Sequence, residues 1–201
     1  MNNLTIRAAR FIMGLNRHTK AVNMRRLSKR GETTDSIIIR EVTESDMPAL
    51  VALHVKTWAD TYWLVRRPPT FTIRQSQWSQ VFKINDGSWF CYVAESKTGR
   101  LVGFAHAKTY GSADLPAYKG QLSKIYLLRE YQRLGIGKRL ICTVAHQFIS
   151  RQINSMVLFS EVQNPSGYFY EALSAERLTN KQGKFSGAYG WKNLQALATI
   201  C

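Results

Sequence analysis

The feature that most constrains this chain is a glycine-bearing loop, Gln132–Lys138, which joins a strand-like segment to a helix-like one. The apolar residues after the loop recur at the three- and four-residue steps of an amphipathic helix: Leu140, Ile141, Val144, Phe148 and Ile149. Gly135 and Gly137 allow the backbone to approach a ligand closely, and the first N–H groups of a helix have no intrahelical partner. With Arg133 and Lys138 beside them, these residues are typical of a pyrophosphate-binding site.

Two other nucleotide-binding loops do not fit this stretch. A P-loop has the pattern G-x-x-x-x-G-K-[S/T], but Gln132 stands where its first glycine belongs and Arg139 follows the lysine. A dinucleotide fingerprint requires a third glycine where Leu140 stands, and no early βαβ unit frames the loop. The sequence therefore excludes both.

Hydrophobic periodicity and turn signals from Ile37 onward predict a mixed α/β layout in the order β-α-α-β-β-β-α-β-α-β-β. The first helix begins at a capping box formed by Thr43 and Asp46 and runs to about Trp58. The other predicted helices are Thr72–Val81, the segment after Gly137, and Gly167–Leu173. The predicted strands are Ile37–Glu41, Trp89–Glu95, Leu101–Lys108, Gln121–Leu128 and Met156–Glu161, with two more near the C-terminus.

The loop matches the motif Q/R-x-x-G-x-G/A, and from about Ile37 to its end the chain resembles the GNAT family of N-acetyltransferases. Three further segments carry the resemblance, as the family's central bulged strand, its N-P…F-Y-E-x-L element and its closing strand: Leu122–Gln132, Asn164–Leu173 and Tyr189–Leu194. The resemblance implies an α/β fold with a central mixed, mostly antiparallel sheet, a splayed strand pair and helices on both faces.

The sequence departs from the family pattern at two places. Ser174 and Ala175 stand where Gly-Gly or Gly-Phe is usual, and Arg129 stands where a proline is common. The first departure alters the turn into the next strand, but neither removes an expected catalytic group.

The resemblance implies that acetyl-CoA is the co-substrate. Backbone groups around three strand residues would pair with its pantetheine arm as if it were another strand: Ile125, Tyr126 and Leu127. Its pyrophosphate would be held by the whole loop, that is by Gln132, Arg133, Leu134, Gly135, Ile136, Gly137 and Lys138. Asn164 would reach the pantetheine or the thioester region.

The expected reaction is direct transfer to a primary amine, without an acyl-enzyme. Tyr170 would donate a proton to the departing thiolate, and a backbone N–H near Leu127 would stabilise the oxyanion. Glu161 is the first choice for the base, with His106 and His54 as lesser candidates. In the plainer interpretation, Glu161 is a solvated strand-end residue, Tyr170 a core tyrosine and the histidines ordinary packing or surface residues.

The acceptor is a small amine or an amino group of a peptide or protein, and spacing offers no code that separates these. Trp58 and Tyr62 either line the acceptor pocket, as that region does in the family, or belong to the core. A homodimer is a further expectation, because dimers are common in the family.

The formal net charge of +15 favours anionic partners. The charge leaves a nucleic-acid-binding protein as one alternative, and a catalytically silent acyl-CoA sensor on the same fold is another. No helix-turn-helix, ribonucleoprotein or zinc-finger signature supports the first, so nucleic acid is not expected as a specific partner. The charge also argues against a strongly cationic acceptor, unless Glu161 and Asp114 make the pocket locally acidic.

Residues 1–36 form a basic extension, with eight basic and two acidic residues. Three interpretations are open for it: a flexible or loosely docked extension, translation from a misplaced start codon, or an organellar transit peptide. The acetyltransferase domain is expected over residues 37–201.

Cys91, Cys142 and Cys201 are odd in number and widely spaced, so neither a disulfide framework nor a zinc site is expected. This pattern favours a reducing, cytoplasmic location, or an organelle if the extension is a transit peptide. The longest run without Asp, Glu, Lys or Arg is the eleven residues from Leu140 to Ser150, too short for a membrane span.

Overall fold

The computed structural model describes residues 19–62, 68–162, 164 and 166–201. Its helices are α1 (residues 19–29), α2 (Met47–Thr61), α3 (Phe71–Phe82), α4 (Ile136–Ser150), α5 (Gly167–Glu171) and α6 (Leu194–Thr199). Its strands are β1 (Ile38–Glu41), β2 (Trp89–Glu95), β3 (Leu101–Thr109), β4 (Gly120–Leu127), β5 (Met156–Phe159), β6 (Glu176–Thr179) and β7 (Phe185–Trp191).

The described strands form one seven-stranded sheet in the order β1-β2-β3-β4-β5-β7-β6. Neighbouring strands are antiparallel except β4 and β5, which run parallel. These two strands pair only near their starts, Gly120 with Met156 and Gln121 with Val157. Since their pairing stops there, the later part of β4 separates from β5 and opens a cleft within the sheet. The expected mixed, mostly antiparallel sheet with a splayed strand pair is confirmed.

Helices cover both faces of the sheet, as expected. On one face α4 buries Leu140 and Phe148 completely, and the Phe148 ring lies 4.9 Å from that of Phe90 on β2. On the other face α2 and α3 pack together, and Trp78 of α3 lies 5.7 Å from Phe104 of β3, ring centre to ring centre. Burying such aromatic side chains contributes roughly 1.5–3 kcal/mol each, so these contacts fix the helices on the sheet.

The start of α2 follows the predicted capping pattern. Thr43 N donates to Asp46 Oδ2 at 2.8 Å, and Pro48 lies in the first turn, where its missing N–H has no cost. The carboxylate of Asp46 also binds the guanidinium of Arg40 on β1, at 2.7 Å. The hydrogen bond from Arg40 is the largest cause that lowers the pKa of Asp46, to about 2. This pair ties α2 to the edge strand.

Residues 19–36 differ from the flexible extension expected for residues 1–36. Asn23 of α1 is buried and its Nδ2 donates to Arg129 O at 2.9 Å and to Gln132 O at 3.0 Å. Tyr131 donates its hydroxyl proton to the buried Glu32, with 3.0 Å between the oxygens. The described part of the extension is therefore packed against the residues that lead into the glycine loop. Residues 1–18 lie outside the described residues.

The expectation that the cysteines form no disulfide is wrong for two of them. Cys142 on α4 is bonded to Cys201 after α6, with their Cα atoms 5.8 Å apart, while Cys91 is a buried free thiol. The helix α6 was itself not predicted. It brings the C-terminus back to α4, a proximity that cysteine spacing cannot reveal. The argument from cysteine count to a reducing compartment loses its basis.

No helix among the described residues is both long and apolar enough to cross a membrane.

Candidate active site

The separation of β4 from β5 opens a cleft of about 740 Å³. Most of the residues predicted to bind a ligand line it: Tyr62, Ile125, Tyr126, Leu127, Gln132, Arg133, Gly135, Gly137, Lys138, Asn164 and Tyr170. These residues come from α2, β4, the loop, the β5–α5 connection and α5, so the fold gathers segments far apart in the chain. Four predicted residues are not part of the lining: Trp58, Leu134, Ile136 and Glu161.

The edge of β4 presents backbone groups to the cleft. Alternate residues of an antiparallel strand direct their N–H and C=O groups to opposite neighbours. Leu128 N donates to Val102 O of β3, so Leu127 and Ile125 direct their N–H groups away from β3, into the cleft. Tyr126, between them, directs its backbone to β3 and offers the cleft only its side chain. The predicted strand-like pairing is thus available at two of the three residues.

The glycine loop shapes one end of the cleft. Gly135 is the residue before α4 and has φ 84°, a left-handed conformation that favours glycine. A Cβ added to Gly137 would lie 3.2 Å from Phe169 Cζ, so a larger residue would displace that ring. The first turn of α4 carries no acidic residue, and Arg133 and Lys138 both line the cleft. These features make an anion site of backbone N–H groups and two cations.

The buried side chains of the loop do not reach a ligand. Leu134 and Ile136 are 7% and 0% exposed and pack in the core, so only their backbones are available to the cleft. Gln132 is exposed, and its Nε2 donates to Leu127 O at 3.0 Å, which ties the loop to the edge of β4. The loop is therefore held in place by the buried side chains of Leu134 and Ile136 and by the hydrogen bond from Gln132.

Tyr170 is placed where a proton donor would be useful. It lines the cleft from α5 but is only 5% exposed, and its burial is the largest cause that raises the pKa of its hydroxyl. Tyr62 and Tyr126 raise it further. The phenol stays protonated at neutral pH and can donate.

Asn164 and Tyr62 form a polar pair in the cleft. Asn164 Nδ2 donates to the Tyr62 hydroxyl at 3.3 Å, and its Oδ1 accepts from Ser166 N at 2.8 Å. Burial raises the pKa of Tyr62, and the charge of Glu161 raises it further. Glu161 itself is exposed, just beyond β5. The ring of Trp58 packs against that of Tyr62 in a tilted arrangement, with ring centres 5.1 Å apart.

The two histidines weighed as bases lie in the packed layer between the sheet and α2–α3. His54 accepts a hydrogen bond from Trp78 Nε1 at 3.2 Å, while His106 has no hydrogen-bond partner among the described residues. Burial is the largest cause that lowers the pKa of each, to about 3. Both imidazoles are neutral at neutral pH, and neither lines the cleft.

Sequence reasoning missed several residues of the cleft. Ser123 and Lys124 of β4 line it, and the Ser123 hydroxyl is buried with no hydrogen-bond partner among the described residues. A lysine in the middle of a strand otherwise rich in apolar residues was a signal for Lys124. Ile200 also lines the cleft, and nothing in the sequence indicated it, because the disulfide that holds it there was not expected.

The cleft lies within a mixed, mostly antiparallel sheet of an α/β fold, and comparison with known proteins identifies the family. The family model described as "Acetyltransferase (GNAT) family" matches residues 52–174. The chain therefore belongs to the GNAT family of acetyltransferases, and it is an acetyltransferase enzyme.

Individual relatives agree with this assignment. The chain is 29% identical over 171 residues to the "Uncharacterized N-acetyltransferase YuaI" of Bacillus subtilis (strain 168), which covers 82% of this chain and 98% of that protein. The fold of this chain resembles that of the PaiA N-acetyltransferase of Thermoplasma acidophilum, which was solved in complex with coenzyme A. The TM-score is 0.63 and the identity 20%, and the match covers 77% of this chain and 98% of that one. It also resembles a phosphinothricin acetyltransferase of Sinorhizobium meliloti, solved with AcCoA, with a TM-score of 0.57 and 18% identity over 77% of this chain and 86% of that one.

Proposed function

We propose that this enzyme transfers an acetyl group from acetyl-CoA to a primary amine, carried by a small molecule or by a peptide, through direct attack of the amine. The observation that carries the proposal is the row of N–H groups on β4, at Ile125 and Leu127, that ends at the anion site of the glycine loop. The two similar folds solved with coenzyme A or AcCoA support the same donor.

The donor would be held along this row and at the loop. The pantetheine arm, an amide-bearing chain, fits the edge of β4, and the pyrophosphate fits the backbone of Gly135–Lys138 with the charges of Arg133 and Lys138. Asn164 and the buried hydroxyl of Ser123 supply polar contacts within the cleft. Acetyl-CoA supplies the activated acetyl group as a thioester.

The protein groups would then serve three needs of the reaction. The N–H of Leu127 would stabilise negative charge on the thioester oxygen, and Tyr170 would protonate the departing sulfur. Glu161 is proposed as the group that takes the proton of the attacking amine, because it follows Ser160, which lines the cleft. An alkyl amine is mostly protonated at neutral pH, so this step requires a base.

An acyl-enzyme on cysteine does not fit this geometry. Cys91 is fully buried, and burial raises the pKa of its thiol. Cys142 is bonded to Cys201 and offers no thiolate. Direct transfer is the simpler course.

The proposal is tested by release of CoA thiol from acetyl-CoA with a panel of primary amines, with the acetylated product identified by mass. We expect Tyr170→Phe to lower kcat by about a hundredfold or more, because general acid catalysis contributes about 10²–10⁴. The dissociation constant of acetyl-CoA should not change.

The control is Tyr168→Phe, in the same helix but 66% exposed, which should leave kcat unchanged. Normal turnover by Tyr170→Phe would refute the assigned proton donor, and absence of any acetylated amine would refute the function.

A further inference from the structure

A second cavity of about 370 Å³ lies beside the cleft, between α3 and β4. Lys124 lines both cavities, so they meet at this residue. Arg74, Gln77 and Trp78 of α3 form much of the other wall. The donor proposed above occupies the β5 side of β4. The second cavity is therefore placed to receive part of the acceptor.

The ionisable residues in the wall of this cavity are two cations, Arg74 and Lys124. All 13 acidic side chains of the protein fall within the described residues, and none forms a salt bridge with either cation. Other partly buried cations of the described chain do have carboxylate partners, for example Arg40, which binds both Asp46 and Glu95. Because neither Arg74 nor Lys124 has a carboxylate partner, the cavity that they line carries uncompensated positive charge.

The two cations are held by aromatic rings and by one amide. The Arg74 guanidinium lies 5.9 Å from the centre of the Trp58 ring and its Nη1 donates to Gln77 Oε1 at 2.8 Å, while its Nε is buried without a hydrogen-bond partner among the described residues. The Lys124 ammonium lies 5.4 Å from the centre of the Trp78 ring. The face of an aromatic ring attracts a cation but accepts few hydrogen bonds from it. N–H groups of both side chains therefore remain free to donate to a ligand.

The surroundings give no negative charge to compensate the pair. Burial lowers the pKa of both cations, and Arg74 lowers that of Lys124 further. The neighbouring His54 and His106 are neutral, and the hydroxyl of Tyr126 is kept protonated by its burial. Keeping two like charges partly desolvated is costly, and an oxyanion between them would relieve the cost.

We propose that Arg74 and Lys124 bind an oxyanion of the acceptor, a carboxylate or a phosphate, so that the enzyme acetylates small amines that carry an acidic group. This inference rests on the proposed function, because it takes the neighbouring cleft as the donor site. A planar guanidinium and an ammonium suit either oxyanion. The small volume of the cavity favours a small molecule, and the positive charge excludes a polyamine.

The test is a titration of tryptophan fluorescence in the full chain with CoA present, because Trp78 lies against Lys124. The probes are γ-aminobutyrate for a carboxylate, phosphoethanolamine for a phosphate, butylamine as a neutral-tailed amine, and putrescine as a dication. We expect saturable binding of one or both anionic probes, and the tighter of the two identifies the oxyanion. Butylamine and putrescine should bind at least about tenfold more weakly, because they lack the charged hydrogen bonds.

Arg74→Gln and Lys124→Gln should each weaken binding of the anionic probe by about tenfold, while Lys181→Gln, at an exposed turn, should not. Circular dichroism checks that the variants are folded. No saturable binding of either anionic probe, equal binding of putrescine, or unchanged binding by both variants would overturn the inference. Acetylation with a preference for putrescine would refute this inference alone, whereas anion binding with no acetylation of any amine would refute the proposed function and leave only the oxyanion site standing.

Discussion

Burial decides the chemistry of individual side chains in this protein more than residue type does. The sequence offered His54 and His106 as lesser candidates for the base, yet both are held neutral in the packed layer between the sheet and α2–α3. Tyr170 is kept protonated by the same effect, but at the wall of the cleft, where a proton donor is useful. The resemblance to the GNAT family suggested Tyr170 as the proton donor, while the degree of burial, which separates these cases, depends on the tertiary structure.

The buried histidines make stability depend on pH. The pKa of His106 is about 3 in the folded chain and about 6.5 when unfolded, so the unfolded state binds a proton that the folded state cannot. The contribution is fully present above about pH 6.5 and is lost as pH falls toward about 3, by about 1.4 kcal/mol per pH unit. We expect His106→Leu to reduce the fall in unfolding free energy between about pH 7 and about pH 5 by about 2 kcal/mol.

Urea unfolding at the two pH values measures this difference. The matched control is His146→Leu at an exposed position, which should keep the wild-type pH dependence. A pH dependence unaltered by His106→Leu would show that this imidazole takes up its proton as readily in the folded chain as in the unfolded one.

At the level of helices and strands, the local pattern predicted most of the sheet. The bounds predicted for β2, Trp89–Glu95, are those observed, and α3 (Phe71–Phe82) is one residue longer at each end than predicted. What failed depended on long-range contacts. The helices α1 and α6 were not predicted, and each is stabilised by residues more than fifty positions away, through Asn23 and through the disulfide. The lysine–arginine pair of the second cavity was missed for the same reason.

The docking of α1 has a measurable consequence. Asn23 supplies the hydrogen bonds to two carbonyls, those of Arg129 and Gln132, at the entry to the glycine loop. Asn23→Ala leaves both without this donor, and we expect a loss of about 1–3 kcal/mol in unfolding free energy. Chemical denaturation measures it, with Arg25→Ala as the control, since Arg25 is exposed on the same helix. Equal stabilities of the two variants would mean that α1 does not pack where described.

For the molecule as a whole, the disulfide is the main covalent constraint. It closes a sequence separation of 59 residues that contains β5, α5, β6 and β7, and it ties the C-terminus to the helix that carries the glycine loop. In the chain-entropy description, a disulfide that closes a loop of this length adds about 4 kcal/mol to the unfolding free energy, because it restricts the unfolded chain. We expect Cys201→Ser to lose a stability of this order and to unfold like the wild type under reductant.

Thiol counting in denaturant is the accompanying check. The oxidised chain should show one free thiol, that of Cys91, and the reduced chain three. Three free thiols in the protein purified without reductant would contradict the disulfide.

The central claim is that the separation of β4 from β5 and the adjoining glycine loop form an acetyl-CoA site. Thermal unfolding of the full chain with and without acetyl-CoA, in low and in moderate salt, tests it most directly. At about 100 times its dissociation constant, the ligand should add about 2.7 kcal/mol of stability. Since the site combines backbone hydrogen bonds with charge, most of the shift should persist in moderate salt. No shift, or one abolished by salt as for any polyanion on a chain of charge +15, would contradict the account.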